Sequence, residues 1–225
     1  MGIVQGSITT GLLTTGNYQI TLPRADLDII GFAPSGNISG ASYSAPPIVG
    51  IFLDASNIAY FPMPYAAVGL TLRKYAPIHV KVKGTTLNIY IPYQGPYNQG
   101  LTIYYGIPDG SEIEIESLKG VAFQIVNTNT SSSVNSSTTV NFPSGNVHLR
   151  GIFVYALNGA YGQISFITGT GDTLYIPVAQ FPDPMDLPDN IIALDLDSAT
   201  TLTINYLINN NSSGNTTFMG IIYYE

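Results

Sequence analysis

The sequence predicts an all-β protein made of two tandem jelly-roll-like β-sandwich domains. Three observations lead to this prediction. Apolar and polar residues alternate with a period of two along many short segments. The 23 glycines and 15 prolines separate these segments as turn residues do, and they disfavour long helices. A length of 225 residues provides for two domains of about 110 residues, each able to bury a core of its own.

Three segments show the alternation most clearly, namely 85–92 (TTLNIYIP), 112–116 (EIEIE) and 201–207 (TLTINYL). Their predicted inward positions are Leu87, Ile89, Ile91, Ile113, Ile115, Leu202, Ile204 and Tyr206. About nine such strand candidates precede residue 109 and about nine follow it. That number suits a jelly roll, which has eight strands. A seven-stranded immunoglobulin-like sandwich is the alternative, although Cys and Trp are both absent.

A repeated phrase indicates a tandem duplication. GIFLDASNIAY occupies residues 50–60 and GIFVYALNGAY occupies residues 151–161, with seven of the eleven positions identical. LTIYY at 101–105 and LTINY at 202–206 match at the same offset of 101 residues. Two matches at one offset are typical of an internal repeat. We therefore expect the two GIF phrases to occupy equivalent strands of the two domains.

The domain boundary is predicted in GIPDGSE at 106–112, which contains a proline and the turn pair Asp-Gly. This gives an N-terminal domain over 1–108 and a C-terminal domain over 109–225. The glycine-rich segment from Met1 to Gly16 is either an arm that reaches a neighbouring subunit or simply a first strand.

No constellation of residues suggests catalysis. The chain has no cysteine, which excludes disulfides and thiolate chemistry. His79 and His148 lie in alternating segments and lack a partner at metal-ligand spacing. We therefore expect no enzymatic activity and no cofactor.

One acidic loop contains oxygen ligands of the kind that Ca²⁺ prefers, at Asp183, Asp186 and Asp189. The glycine and the bidentate glutamate of an EF-hand loop are absent. The preferred interpretation is an exposed acidic loop. No metal site is therefore predicted, and these three residues are weak candidates for metal ligands.

Four of the chain's seven cations cluster in RKYAPIHVKVK, at Arg73, Lys74, Lys81 and Lys83. A nucleic-acid groove needs a stronger basic field than a chain of net charge −7 provides. No nucleic acid is therefore expected as a partner. The two interpretations of the cluster are a solvated strand face and an interface with an acidic neighbour.

Six candidate glycosylation sequons lie in predicted loops rich in Asn, Ser and Thr. They are Asn37, Asn129, Asn135, Asn210, Asn211 and Asn215. Such clusters are typical of an extracellular surface, yet the start MGIVQGSITTG shows no export signal. A virion protein that is assembled in the host cytoplasm and released by lysis satisfies both observations.

The chain resembles the penton-base and turret vertex proteins of archaeal turreted icosahedral viruses, of the Sulfolobus turreted icosahedral virus type. The resemblance rests on the opening MGIVQGSITTGLLTTGNYQITLP, the tandem GIF…NxAY units, the length and the Tyr/Asn/Ile-rich composition. It implies jelly-roll domains and a homopentamer at the capsid vertex. The implied partners are the major capsid protein, other turret proteins and an internal-membrane protein, with no catalytic residue.

The two halves differ in charge. Residues 1–108 hold five cations and three acids, whereas residues 109–225 hold two cations and eleven acids. Five of the six sequons also lie in the second half, and glycans are too bulky for packed interfaces. We therefore expect the first domain to be embedded in the shell and the second to project outward and contact the turret.

Only 9% of the residues are charged, against about 25% in a typical domain. Near pH 3, carboxyl groups with ordinary pKa values of about 4 are largely protonated. A shell held by apolar burial and neutral hydrogen bonds keeps its contacts under those conditions. We therefore expect a thermoacidophilic setting, and a particle that dissociates at pH 3 would contradict this.

Two other functions stay open. The first is an exported β-sandwich subunit of an archaeal pilus or surface layer, which would carry a leader or donate a strand between subunits. The second is a carbohydrate-binding module, which requires an exposed aromatic platform. The residues proposed for such a platform are Tyr60, Tyr65, Tyr75, Tyr93 and Tyr97.

Overall fold

A computed structural model of the chain describes most of the sequence. It covers residues 5–11, 13–35, 48–62, 76–82, 84–93, 100–106, 119–128, 132–143, 145–157, 160–168, 171–178, 192–198, 200–209 and 215–225. The chain divides into two units, Met1–Leu118 and Lys119–Glu225. Throughout the described ranges the regular structure is β-strand, and no helix suited to crossing a bilayer is found there.

The first unit contains eight described strands. They are β1 (Gly6–Thr9), β2 (Gly16–Thr21), β3 (Leu27–Ser35), β4 (Ile48–Phe52), β5 (Ile58–Pro62), β6 (Ala76–Val82), β7 (Thr86–Ile91) and β8 (Gly100–Gly106). One antiparallel sheet has the order β1-β8-β3-β6 and the other has the order β2-β7-β4-β5. Two four-stranded sheets in this order form a jelly roll, which we call the first jelly roll.

The second unit repeats this arrangement. Its strands are β9 (Gly120–Asn127), β10 (Val134–Asn141), β11 (Val147–Leu157), β12 (Tyr161–Ile167), β13 (Thr173–Val178), β14 (Ile192–Ser198), β15 (Thr201–Asn209) and β16 (Thr216–Tyr224). The sheets have the orders β14-β11-β16-β9 and β10-β15-β12-β13. Counted within the unit, this is the same strand order, so the second unit is also a jelly roll. The predicted fold class is confirmed.

Each jelly roll buries a core between its own two sheets. In the first, Ile29 and Phe32 of one sheet meet Ile51 and Ile89 of the other within a single buried cluster. In the second, a separate cluster joins β11 and β16 to β12 and β15. In β7 and β15 exposed positions alternate with this buried face, whereas β16 is buried on both faces.

The strand faces predicted from alternation are confirmed where the structure describes them. Leu87, Ile89 and Ile91 are buried in β7, and Leu202 and Ile204 are buried in β15. The segment EIEIE at 112–116 lies outside the described residues. Gly6–Thr9 pairs with β8 as an edge strand, so this part of the Met1–Gly16 segment is a first strand.

The predicted equivalence of the two GIF phrases is wrong. Gly50–Tyr60 forms the β4–β5 hairpin, which holds the fourth and fifth strands of its jelly roll. In the second phrase, residues 151–157 instead lie in β11, the third described strand of its unit, and Tyr161 is the first residue of β12. The two LTI phrases likewise fall in β8 and β15, the eighth and seventh strands.

The two jelly rolls share a different repeated feature, which is a register shift in the third strand. In β3 the pairing register shifts between Ile29 and Gly31, and in β11 it shifts between Leu149 and Gly151. Both are third strands, and in both the irregularity immediately precedes a glycine. A β-bulge at this point changes which alternate residues face the core.

The predicted boundary between residues 108 and 109 falls in the range 107–118, outside the described residues. It stays a prediction.

Candidate functional site

Most of the side chains singled out by sequence lie outside the described residues. Asp183, Asp186 and Asp189 lie outside the described residues, as do Arg73, Lys74 and Lys83 and the sequons Asn37, Asn129, Asn210 and Asn211. Lys81 lies in β6, where its backbone pairs with that of Asp28 in β3. In the described part of the chain, no three His, Asp or Glu side chains form a metal-binding group.

Two sequons fall within the described residues. Asn135 is exposed near the start of β10, an edge strand, so its amide is available for modification. Asn215 is exposed immediately before β16, but Thr217 of the same sequon is only 5% exposed. Of these two acceptors, Asn135 therefore has the more accessible sequon in the folded chain.

Of the five tyrosines considered for a carbohydrate-binding platform, the two that the structure describes are both at least partly buried. Tyr60 is only 7% exposed, so it cannot offer a free ring face. Tyr93 is partly buried, and burial raises the pKa of its hydroxyl. Tyr65, Tyr75 and Tyr97 lie outside the described residues.

An ionic cluster lies on the second jelly roll, on the outer face of the sheet β14-β11-β16-β9. His148 Nε2 is 2.7 Å from Asp195 Oδ1, and His148 Nδ1 is 2.8 Å from Asp197 Oδ1. Arg150 Nη1 is 3.6 Å from Asp195 Oδ1, and Arg150 also hydrogen-bonds the carboxylate of Glu225. We call these five side chains the ionic cluster.

Strand alternation explains the ionic cluster. His148 and Arg150 flank the buried Leu149 on β11, and Asp195 and Asp197 alternate with Leu194 and Leu196 on β14. The four polar side chains therefore share one face of two paired strands. Glu225 joins them because its backbone exchanges two 3.0 Å hydrogen bonds with that of His148.

The charged side chains of the ionic cluster change the pKa of His148 and of Glu225. The hydrogen bonds that His148 donates to Asp197, and secondly to Asp195, raise its pKa above the ordinary value of 6.5. The hydrogen bond from Arg150 lowers the pKa of Glu225 below its ordinary value of 4.5. A carboxylate oxygen lies beside each ring nitrogen of His148. The imidazolium form satisfies both, because it donates a hydrogen bond from each nitrogen. The arrangement is an ionic link between β11, β14 and Glu225.

Sequence reasoning missed the ionic cluster and treated His148 as isolated. Its carboxylate partners lie 47 and 49 residues away in the sequence, and a spacing rule for metal ligands does not reach that far. The available signal was the alternating pattern ALDLDS at 193–198, which places two aspartates on one strand face.

The other sheet of the second jelly roll, β10-β15-β12-β13, has an uncharged outer face. Its outward residues are Asn135, Ser137, Thr139, Asn141, Thr201, Thr203, Asn205, Leu207, Asn209, Tyr161, Gln163, Ser165, Ile167, Thr173, Tyr175 and Pro177. On the β12–β13 side, Tyr161, Ile167 and Tyr175 are 48%, 64% and 61% exposed. We call these three side chains the β12–β13 patch. Tyr161 and Ile167 lie at the two ends of β12, and Tyr175 on β13 lies opposite Ser165 between them.

No protein-family model and no curated protein matches the chain. Among solved structures, the chain is similar to one in the atomic structure of Sulfolobus turreted icosahedral virus, with 16% identity and a TM-score of 0.28 over 97% of this chain and 59% of that chain. A second likeness is to a structure described as the triple jelly roll fold and turret assembly in an archaeal virus, with 15% identity and a TM-score of 0.22 over 97% of this chain and 58% of that chain.

A third likeness is to the structure of infectious bursal disease virus Gx strain, with 8% identity and a TM-score of 0.17 over 99% of this chain and 74% of that chain. The chain spans about three fifths of the first two chains it matches. At these TM-scores, the jelly-roll assignment depends on the strand order of the chain itself.

Proposed function

We propose that the chain is a structural coat protein of a virion, with no catalytic activity, located at the five-fold vertex of an icosahedral capsid. The observation that carries the proposal is the β12–β13 patch, because a sheet that exposes Tyr161, Ile167 and Tyr175 and has no charged side chain at its outward strand positions is suited to subunit packing. The sequence resemblance to archaeal virus vertex proteins supports the same role.

The proposed assembly is a homopentamer. Heterologous contacts between copies of one chain close into a ring when the rotation permits. The partners proposed beside the ring are the major capsid protein, other turret proteins and an internal-membrane protein, in a virion assembled in the host cytoplasm. The first jelly roll is proposed to be embedded in the shell, with its basic residues Arg73, Lys74, Lys81 and Lys83 at the interface.

The second jelly roll is proposed to project outward and contact the turret. The two edge strands of its β10-β15-β12-β13 sheet carry different residues. The exposed sequon at Asn135 lies on β10, whereas Tyr175 lies on β13, three strands away at the opposite edge. Three strand spacings are about 14 Å. A glycan at Asn135 would therefore be attached at the edge of the sheet opposite Tyr175.

A charge substitution in the β12–β13 patch tests the proposal. We expect Ile167→Lys to abolish incorporation of the chain into particles, because burial of an unpaired ammonium at a contact is unfavourable. The matched control is Ser137→Lys on β10 of the same face, which is expected to incorporate normally. Particle composition is measured by quantitative mass spectrometry of purified virions. Equal incorporation of both variants would contradict the proposed contact.

A further inference from the structure

We propose that the first jelly roll binds a neutral saccharide in an open groove on the outer face of its β2-β7-β4-β5 sheet. The groove has a volume of about 520 Å³ and is lined by Asn17, Tyr18, Gln19, Phe52, Leu53, Asp54, Ala55 and Asn88. This volume lies in the range of about 300–1,000 Å³ that is usual for small-molecule sites. The inference does not depend on the coat role.

One wall of the groove consists of side-chain amides. Asn17 and Gln19 are exposed on β2, and Gln19 lies directly opposite Asn88 of β7. Within the described part of the chain, none of these three amides has a hydrogen-bond partner. Each amide therefore offers a free donor and a free acceptor to a ligand.

The other wall is the β4–β5 hairpin loop, which is internally ordered. Asp54 Oδ1 accepts hydrogen bonds from the backbone N–H groups of Ser56 and Asn57 at 2.7 and 2.8 Å, and Asp54 Oδ2 accepts one from Asn57 Nδ2 at 2.8 Å. The carboxylate of Asp54 thus stabilises its own loop. A wall fixed in this way costs little conformational entropy when a ligand binds.

An aromatic surface lies beside the amides. The backbone of Ile51 pairs with that of Ile89, so Phe52, one residue further along β4, lies next to Asn88. The ring centroid of Phe52 is 6.2 Å from that of Tyr90, which is in turn 6.4 Å from that of Tyr60. Buried Tyr60 thus supports Tyr90 and Phe52, which are only partly buried.

Gly50 makes this aromatic packing possible. A Cβ atom at Gly50 would lie 2.6 Å from Ile58 Cγ2 and 3.1 Å from the ring of Tyr60. Any larger residue would push the hairpin strands or the ring away. Gly50 is therefore a positioning residue for the aromatic side of the groove.

The chemistry of the lining selects the ligand class. No cation is found among the described lining residues, which disfavours phosphate and carboxylate ligands. Amides that donate and accept next to an aromatic ring match a molecule with many hydroxyl groups and one apolar C–H face. A neutral saccharide has both features. Its source is either an asparagine-linked glycan of another protein chain or a glycan of a foreign surface.

The test is a titration of the full ¹⁵N-labelled chain with neutral oligosaccharides, monitored by NMR. The probes are N,N′-diacetylchitobiose, which represents the core of an asparagine-linked glycan, and mannotriose and maltotriose, which represent foreign glycans. We expect at least one probe at about 20 mM, well above a millimolar Kd, to shift the side-chain amide signals of Gln19 and Asn88.

Substitutions make the test specific. Gln19→Ala and Asn88→Ala remove one amide each from an exposed position, so the fold is retained, and each is expected to weaken binding about threefold to tenfold. The matched control is Gln163→Ala, an exposed amide on the equivalent sheet of the second jelly roll, which should leave the affinity unchanged.

A response to chitobiose alone supports an asparagine-linked glycan as the ligand, and a response to mannotriose or maltotriose supports a foreign glycan. The inference is overturned if no neutral probe shifts any signal. It is also overturned if the shifts cluster at Tyr161 and Tyr175, or if Gln19→Ala and Asn88→Ala bind as tightly as the unmodified chain.

Discussion

His148 and Glu225 give the ionic cluster opposite responses to pH. Because the pKa of His148 is raised, its contribution to stability is fully present below about 6.5 and is lost as the pH rises through the folded-state pKa. Because the pKa of Glu225 is lowered, its contribution is present above about 4.5 and is lost as the pH falls through the folded-state pKa. Both contributions are therefore present together between these two values.

We predict that Asp197→Asn lowers the thermal midpoint by about 1–4 °C near pH 5.5 and has little effect near pH 9. The pKa of His148 is raised by its bond to Asp197, but at the higher pH the imidazole is neutral and the ionic contribution of the pair is lost. Asp26→Asn, an exposed aspartate in the first jelly roll, is the control. Differential scanning calorimetry at both pH values measures the effect, and an equal loss at both would show that the ionic link is not its cause.

Gly220 allows close packing in the middle of β16. A Cβ atom there would lie 2.5 Å from the ring of Phe123 and 2.6 Å from the backbone oxygen of Phe153. We predict that Gly220→Ala destabilises the second jelly roll by about 1–3 kcal/mol, since the backbone oxygen cannot move aside easily. Gly145→Ala, with nothing within 4 Å of the new atom, is the control. Urea unfolding measures both, and equal midpoints would refute the packing explanation.

At the scale of strands, alternation predicted β7 and β15 correctly because each has one buried and one exposed face. Alternation fails in β11, where Val147 and Leu149 are buried before the bulge and Ile152 and Ala156 after it, so the inward positions change from odd to even. Local pattern cannot reveal the bulge, since it depends on the registers of neighbouring strands. The GIF phrases led to a wrong prediction because identical residues occur in strands that hold different positions in the two jelly rolls.

Strand β16 is buried on both faces along its whole length. Ile221 and Ile222 point to opposite faces, and both are 0% exposed. We predict that Ile221→Ala and Ile222→Ala each cost about 2–4 kcal/mol, whereas Val126→Ala, at a position 43% exposed, costs less than about 1 kcal/mol. Urea denaturation compares the three. An Ile221→Ala variant as stable as Val126→Ala would mean that only one face of β16 contributes to stability.

At the scale of the molecule, the two jelly rolls share one strand order and differ in the chemistry of their outer faces. Alternation, turn residues and length predicted the fold class, whereas the uncharged face of β10, β15, β12 and β13 was not predicted. The ionic cluster and the proposed saccharide groove were not predicted either, since each combines residues from strands that are far apart in sequence. Only the pairing order of the strands places Gln19, Asn88 and Phe52 side by side.

The most direct test of the coat role is a cryo-EM reconstruction of the particle that contains this chain, at a resolution that separates β-strands. The proposal predicts five copies around each five-fold axis, with Lys81 of the first jelly roll at smaller radius than Asn135 of the second. An empty vertex, or a particle in which Asn135 lies at smaller radius than Lys81, would contradict it.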